Sequence, residues 1–373
     1  MRPLKGKKIK LGIIFGGRSP EHEVSLVSAA SVMAALDHKK YDVTPVWINK
    51  NGKWFAGKNA LEFAKGNRAA NVQEVIFKAV PGSAQLVGQN FKKKLDVIFP
   101  VLHGPFGEDG TIQGLFEFAD TPYVGCGVLS GAIGMDKAIQ KQIFSYAGLP
   151  VAPWIEIKKS EFERNKLLFY KRARRLGLPI FVKPSNMGSS VGVSKVKEAA
   201  ELQKAINGAF LYDRKILIEK AIDSAREIEC AVLGGSEPVA SALGEIKSSG
   251  DFYDYAAKYI DGRSKAIIPA DLPLKIRDKI RKMAIKCFKI CSCAGLARVD
   301  FLFDGKTFSP YLNEINTLPG FTSISMYPKL WEASGIGLKE LIDKLVEISL
   351  EDYRQKKILT RSYFGSGKWW RGN

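Results

Sequence analysis

An apolar run from Lys8 to Phe15 ends at Gly16-Gly17. The residues from about Glu21 to Leu36 then place apolar side chains at helical spacing, and a second apolar run follows near Val43 to Ile48. Strand, helix and strand in that order predict a parallel sheet, because a helical crossover is what returns the chain beside its first strand. Leu95 to Leu102 is a further apolar strand. It runs into His103-Gly-Pro-Phe-Gly-Glu-Asp-Gly110, a glycine-rich loop at the carboxyl end of a strand, where open α/β sheets place ligands. Between Asn51 and Asn90 no single period holds, so that segment is expected to elaborate the surface.

A second unit is expected to begin near Gly134. It has helices at Asp136 to Ala147 and Ser160 to Leu176, and strands at Ile180 to Lys183, Val191 to Val196 and Lys215 to Glu219. A third contains a strand at Ile228 to Leu233, a polar loop from Lys247 to Lys265, a helix near Leu274 to Cys293, and a closing hairpin. The expected division is 1–133, 134–226 and 227–373.

In that hairpin, Arg298-Val-Asp300 and Glu314-Ile-Asn316 each put two polar side chains two residues apart, on one face of a strand. Pro310 lacks an N–H and is disfavoured inside a ladder. A loop from Asp304 to Pro310 with Phe303 facing Tyr311 is therefore expected, which sets Asp300 opposite Glu314 and Arg298 opposite Asn316. Two carboxylates and an amide oxygen suit a hard divalent cation such as Mg2+, the usual companion of nucleotide phosphates. A tight turn at Asp304-Gly305 is the competing register. It would put Ser309 opposite Asp300 and scatter the cluster. A solvated polar sheet face is the plainer alternative.

Composition narrows the picture. The chain of 373 residues contains no apolar run of the ~18 residues that span a bilayer, and Met1-Arg-Pro-Leu-Lys-Gly-Lys-Lys leads into a strand, so a cytoplasmic protein is expected. Five cysteines, three of them (Cys287, Cys291, Cys293) in or beside an amphipathic helix, read as reduced structural thiols. A formal charge of +19 favours anionic partners without choosing among nucleotides, nucleic acid and acidic lipid surfaces. The one concentrated basic stretch is Arg354 to Asn373, with six Lys/Arg, no Asp/Glu and Trp369-Trp370. It reads as a solvated terminus or as a weak contact to anionic surfaces.

Lys183-Pro-Ser-Asn-Met-Gly-Ser-Ser-Val-Gly192 joins a basic strand end to a Gly/Ser loop, offering a cation, hydroxyls and approachable N–H groups to a phosphate. Neither G-x-x-x-x-G-K-[ST] nor G-x-G-x-x-G is present. This loop, the hairpin, Gly16-Gly-Arg-Ser-Pro-Glu-His-Glu-Val-Ser25, His103 to Gly110, Met135-Asp-Lys137, Glu219-Lys220, Tyr253-Asp-Tyr-Ala-Ala-Lys-Tyr259 and Asn313 to Met326 occur in this order. From about Lys10 to Leu341 the chain resembles the D-alanine:D-alanine ligases of the ATP-grasp superfamily. The resemblance implies an α/β, three-domain ATP-grasp architecture: an N-terminal open parallel-sheet domain and two α+β domains that clamp ATP. It also implies a homodimer, with no nucleic-acid partner.

Residue by residue, the resemblance matches Lys137, Lys183 and the loop lysine Lys258 to phosphate contacts, with Ser190 in the same loop and Asn313 beside the nucleotide. It matches Glu219, Lys220, Ala221 and Ile222 to the adenine-reading segment, and Glu227 to the ribose. Asp300, Glu314 and Asn316 match ligands of Mg2+ or Mn2+. Glu21 matches the partner of the first D-alanine's ammonium, with Ser25 and His103 nearby. Ser325 and Met326 match the second substrate's site. Arg298 and the Gly320 N–H match oxyanion donors, and Glu21, Ser189 and Tyr259 a trio that ties mobile loops together. Ala256 departs from the family's acidic residue in that loop. D-serine or D-lactate as the second substrate, or a non-catalytic polyanion-binding protein, are the alternatives. Tyr259, where D-lactate formers carry histidine, speaks against D-lactate.

Overall fold

Three sheets carry the chain in a computed structural model that describes residues 7–82, 84–247 and 265–360. The first sheet contains β1 (Ile9–Gly16), β2 (Tyr41–Ile48), β3 (Trp54–Ala56), β4 (Gln73–Lys78), β5 (Gln85–Gly88), β6 (Phe91–Lys94) and β7 (Val97–Leu102), in spatial order β6-β5-β4-β3-β2-β1-β7. β1 pairs in parallel with β2 and β7, so Gly16 and Leu102 end side by side and both following loops leave from one edge. Gly16 has φ +92°, and a Cβ there would stand 2.3 Å from the Ile48 carbonyl oxygen, so only glycine fits this turn. Residues 51–90 are more regular than expected. They form most of an antiparallel extension, β3 to β6, and the sheet is therefore mixed. These strands are three to six residues long, too short for their period to declare itself.

The second sheet is antiparallel: β8 (Trp154–Lys158), β9 (Ile180–Pro184), β10 (Ser194–Val196) and β11 (Lys215–Lys220), in order β10-β9-β11-β8. The helix expected at 160–176 is two helices, Lys159–Arg164 and Lys166–Arg175. Asn165 leaves helical geometry (φ −150°, ψ 70°), and its side chain accepts the Leu168 N–H at 3.1 Å, capping the second helix. The strand expected at 191–196 starts only at Ser194, because Ser189, Ser190 and Gly192 all have positive φ.

The third sheet orders β12 (Arg226–Gly234), β13 (Val239–Lys247), β14 (Lys265–Ile267), β15 (Gly295–Asp304) and β16 (Ser309–Asn316) as β14-β13-β12-β15-β16. β13 escaped sequence reading. Its Ala240, Ser241, Ala242 and Gly244 carry little strand preference, and pairing on both sides holds it. The interior of the loop expected between Lys247 and Lys265 lies outside the described residues. The hairpin register is as expected at its chemical end: Arg298 faces Asn316 and Asp300 faces Glu314. Nearer the turn it slips by one. Asn313 is a bulge, so Phe303 faces Pro310 instead of Tyr311. Pro310 lies inside β16, an edge strand, where a missing N–H is tolerated.

The sheets share cores. The helix Leu338–Lys357 sends Leu341, Ile342, Leu345 and Val346 into the core that holds Leu11, Ile13 and Phe15 of β1. Phe144 of the helix Lys137–Tyr146 joins the core between the third sheet and the helix Leu274–Ile290, where Cys287 and Cys291 lie. All five cysteines are buried free thiols. Part of the basic C-terminal stretch belongs to this packing. Lys356 reaches Glu117 at 3.1 Å and Asp352 at 3.0 Å, and Lys357 pairs with Asp120, holding the helix end against the first sheet's domain. Residues 361–373 lie outside the described residues. No helix among the described residues is long and apolar enough to cross a membrane.

Leu345 is fully buried where the last helix meets β1, whereas Leu359 is 65% exposed. Leu345→Ala should cost about 2–5 kcal/mol in urea unfolding, and Leu359→Ala less than about 0.5 kcal/mol. Equal effects would mean that the last helix is not part of the cooperative core.

Candidate active site

A cavity of about 360 Å³ opens where the three sheets converge. On its second-sheet wall, β9 and β11 pair Lys183 with Leu217 and Phe181 with Glu219, which makes Lys183 and Glu219 diagonal neighbours. Lys183 Nζ closes on Glu219 Oε2. The other oxygen, Oε1, meets Lys141 Nζ at 2.6 Å. Burial works to raise the pKa of Glu219, but the two ammonium groups prevail and bring it down to about 2. Burial likewise pulls the Lys141 pKa down, while for Lys183 the attraction of Glu219 outweighs burial and raises it. Lys141 was not anticipated. Its signal is its position one helical turn beyond Lys137, on the same face.

The third-sheet wall is the hairpin. Arg298 Nε and one terminal nitrogen each donate to a different oxygen of Asp300 at 2.7 Å, and Nε lies 3.1 Å from Glu229 Oε2. Burial opposes charge on this guanidinium, but Asp300 and Glu229 hold its pKa above the ordinary value. Glu229 is a second residue that sequence reading missed. It follows Glu227 at strand period two, with apolar Ile228 and Cys230 facing the core. Glu314 stands 3.5 Å from Lys137 Nζ, which also donates to the Met187 carbonyl at 2.8 Å. Asn316 Oδ1 accepts the Leu318 N–H at 3.1 Å. Asp300, Glu314 and Asn316 thus bring three oxygen-bearing side chains to one cavity. That donor set fits a hard divalent cation, which would take over charge compensation from Arg298 and Lys137.

The first-sheet wall supplies Glu21 and His103. Ser189 Oγ donates to Glu21 Oε1. A Cβ at Gly104 or Gly188 would lie 2.8 or 2.9 Å from Glu21 Oε2, so two glycine backbones crowd the other oxygen. His103 has Nδ1 3.2 Å from the Leu318 carbonyl, Nε2 3.1 Å from Ser28 Oγ, and Glu108 at 3.7 Å. Burial pulls its pKa down, but Glu108 and Glu21 outweigh burial and raise it. Gly320 lets the chain pass Ser325, since a Cβ there would be 2.7 Å from Ser325 Oγ. That oxygen accepts the Thr322 N–H at 3.0 Å.

Ser190, Lys220, Glu227, Asn313 and Met326 also line the cavity. Three expected residues do not. Ser25 is fully buried, donating to the Val101 carbonyl and accepting the Gly16 N–H at 2.7 Å, so its hydroxyl ties a helix to β1 and β7. Ala221 gives its N–H to the Pro179 carbonyl at 3.0 Å, and neither it nor Ile222 reaches the cavity wall. Lys258 and Tyr259 lie outside the described residues.

Two antiparallel sheets holding a lysine-lined and carboxylate-lined cleft against an α/β domain define the ATP-grasp class of ligases. Within that class, the family descriptions "D-ala D-ala ligase N-terminus" and "D-ala D-ala ligase C-terminus" match residues 10–126 and 143–347. The chain belongs to the D-alanine–D-alanine ligase family. The D-alanine–D-alanine ligase of Chloroherpeton thalassium is 48% identical over 364 residues, covering 94% of this chain and 99% of that one. That of Caldicellulosiruptor bescii is 47% identical, covering 96% and 100%. Solved structures give the same picture. The D-alanine-D-alanine ligase from Coxiella burnetii superposes with a TM-score of 0.82 at 33% identity, covering 94% of this chain and 96% of that one. A D-Ala:D-Ser ligase from Enterococcus faecalis superposes with 0.83 at 35%, covering 92% and 100%.

Because the Glu219 carboxyl titrates near 2 in the fold against an ordinary 4.5, its contribution to stability is present above pH 4.5 and is lost as the pH falls toward 2. Glu219→Gln leaves two buried ammonium groups facing an amide and should cost about 3–5 kcal/mol at pH 7. In urea unfolding, the gap between variant and parent should narrow steadily from pH 4.5 to pH 3. A gap that is constant with pH would mean that Glu219 is not held ionised by these lysines.

Proposed function

We propose that the cleft joins two molecules of D-alanine to D-alanyl-D-alanine, with ATP converted to ADP and phosphate through a D-alanyl phosphate. The observation that carries this reading is the opposition of Asp300 and Glu314 on one hairpin to Lys137 and Lys183 on the facing wall, with Glu21 at the far end of the same cavity. Lys137 and Lys183 offset charge on the triphosphate, and Glu227 takes the ribose. Mg2+ or Mn2+ bound by Asp300, Glu314 and Asn316 would screen the phosphates against an approaching carboxylate.

Glu21 receives the ammonium of the first D-alanine. A carboxylate oxygen of that substrate attacks the γ-phosphorus, and the bond to the ADP oxygen breaks. Ser325 orients the carboxylate of the second D-alanine, whose neutral amine attacks the acyl carbonyl carbon. As the C–N bond forms, Arg298 and the Gly320 N–H face the developing oxyanion, one such donor contributing about 2.7–4 kcal/mol in other enzymes. Collapse breaks the C–O bond to phosphate, and the amine proton is released.

Purified protein incubated with ATP, Mg2+ and D-alanine should yield ADP, phosphate and the dipeptide, identified by mass. AMP and pyrophosphate would overturn the acyl phosphate route, and product only with added D-serine or D-lactate would move the specificity.

Glu314→Gln removes one charge at nearly constant volume. Turnover should fall about 100-fold or more, with the melting temperature within a few degrees of the parent. Retained turnover at saturating Mg2+ would remove Glu314 from the metal site.

A further inference from the structure

We infer that Lys141 is a positioning residue for the nucleotide: it stays on Glu219 as a permanent counter-charge, so that Lys183 can leave Glu219 for a phosphate. The inference rests on the reading that a nucleotide occupies this cleft. Three charged groups meet here, one carboxylate between two ammonium groups, and their positions are unequal. Lys183 lines the cavity and keeps 15% of its side chain exposed, whereas Lys141 is 2% exposed, lies behind the wall and also donates to the Leu312 carbonyl at 3.3 Å. Lys183 has open cavity beside it, and Lys141 is enclosed.

A lone Lys183–Glu219 pair at this depth would be a closed unit. Drawing the lysine toward a phosphate would strand a buried carboxylate, which is heavily penalised. With Lys141 at 2.6 Å on the second oxygen, Glu219 remains compensated after Lys183 departs. The arrangement also leaves the cluster one positive charge in excess beside the place where phosphates would lie. Lys137, one turn before Lys141, faces the hairpin side at Glu314, so the same helix serves both walls.

The test is Lys141→Met, which keeps length and volume without charge, beside Lys141→Arg, which keeps the charge. ADP would be titrated calorimetrically, adenosine by competition, and melting temperatures measured without nucleotide. The expected results are a loss of ADP affinity in the methionine variant of about tenfold or more, adenosine affinity unchanged, and recovery of ADP binding in the arginine variant. The methionine variant should also melt lower, since Glu219 Oε1 and the Leu312 carbonyl lose their donor, but a general loss of stability would not separate ADP from adenosine. If the methionine variant does not fold, Lys141→Gln answers the same question. Unchanged ADP affinity, or an equal loss for adenosine, would overturn the role of Lys141. Failure of the parent protein to bind ADP would instead overturn the nucleotide reading itself.

Discussion

Antiparallel pairing puts Asp300 directly across from Glu314, and like charges set opposite each other in a sheet repel. Much of the site follows from neutralising that pair. Arg298 grips Asp300 from two residues away on the same strand, and Glu229 on the neighbouring strand holds Arg298 in turn. Lys137 faces Glu314, and its helix is locked to β16 through Gln140. That side chain accepts the Ile315 N–H at 3.0 Å and donates to the Gly134 carbonyl at 2.6 Å. One turn on, Lys141 leads to Glu219 and from there to Lys183. A chain of ion pairs, joined through this helix, thus runs from the hairpin to the second-sheet wall. A metal and a triphosphate would enter it by substitution, cation for cation and anion for anion.

The legible part of this network is the part with short sequence periods. Arg298/Asp300 and Glu314/Asn316 are spaced by two, so strand alternation alone predicts a shared face and, once a turn is chosen, the facing pairs. The bulge at Asn313 was not legible, because it depends on how β16 curves along the sheet edge and no local residue preference marks it. The chemical end kept its expected register because the slip occurs on the turn side of Asp300. Lys141 and Glu229 were overlooked for a different reason. A single Lys or Glu in sequence is most often a surface charge, and only the third dimension shows these two buried against partners. Ser25 fails in the opposite sense. Its motif is recognisable, but its hydroxyl is used up on backbone.

The net charge of +19 is the excess of Lys and Arg over Asp and Glu along the whole chain. Several of the basic groups are nonetheless engaged by acids. Lys137, Lys141, Lys183 and Arg298 compensate acids around the cleft, and Lys356 and Lys357 fasten the last helix to Glu117 and Asp120. Arg354 to Lys357, which reads in sequence as the start of a solvated tail, is helical and partly engaged. Pairing leaves the net charge unchanged, but it takes the cations around the cleft out of reach of an outside partner.

A further hydrogen bond, from Ser189 to Glu21, joins the second-sheet wall of the cleft to the first. Ser189 and Ser190 both hold positive φ, a conformation that costs a non-glycine residue roughly 1–2 kcal/mol. Such backbone persists where neighbouring contacts over-determine it, and the contacts here include the hydrogen bonds from the Val191 N–H to the Gly188 carbonyl and from the Val193 N–H to the Ser190 carbonyl, and the Ser189 hydroxyl on Glu21, a residue that follows the first sheet's β1. The carboxylate proposed to receive the first substrate's ammonium is therefore one of the groups that hold this second-sheet loop in shape. An ammonium arriving at Glu21 would compete with Ser189 for its oxygens, or share them, and so bear on the shape of this loop. Under the proposed function, occupancy of the first amino-acid site and the conformation of this loop would be linked through the Glu21 carboxylate.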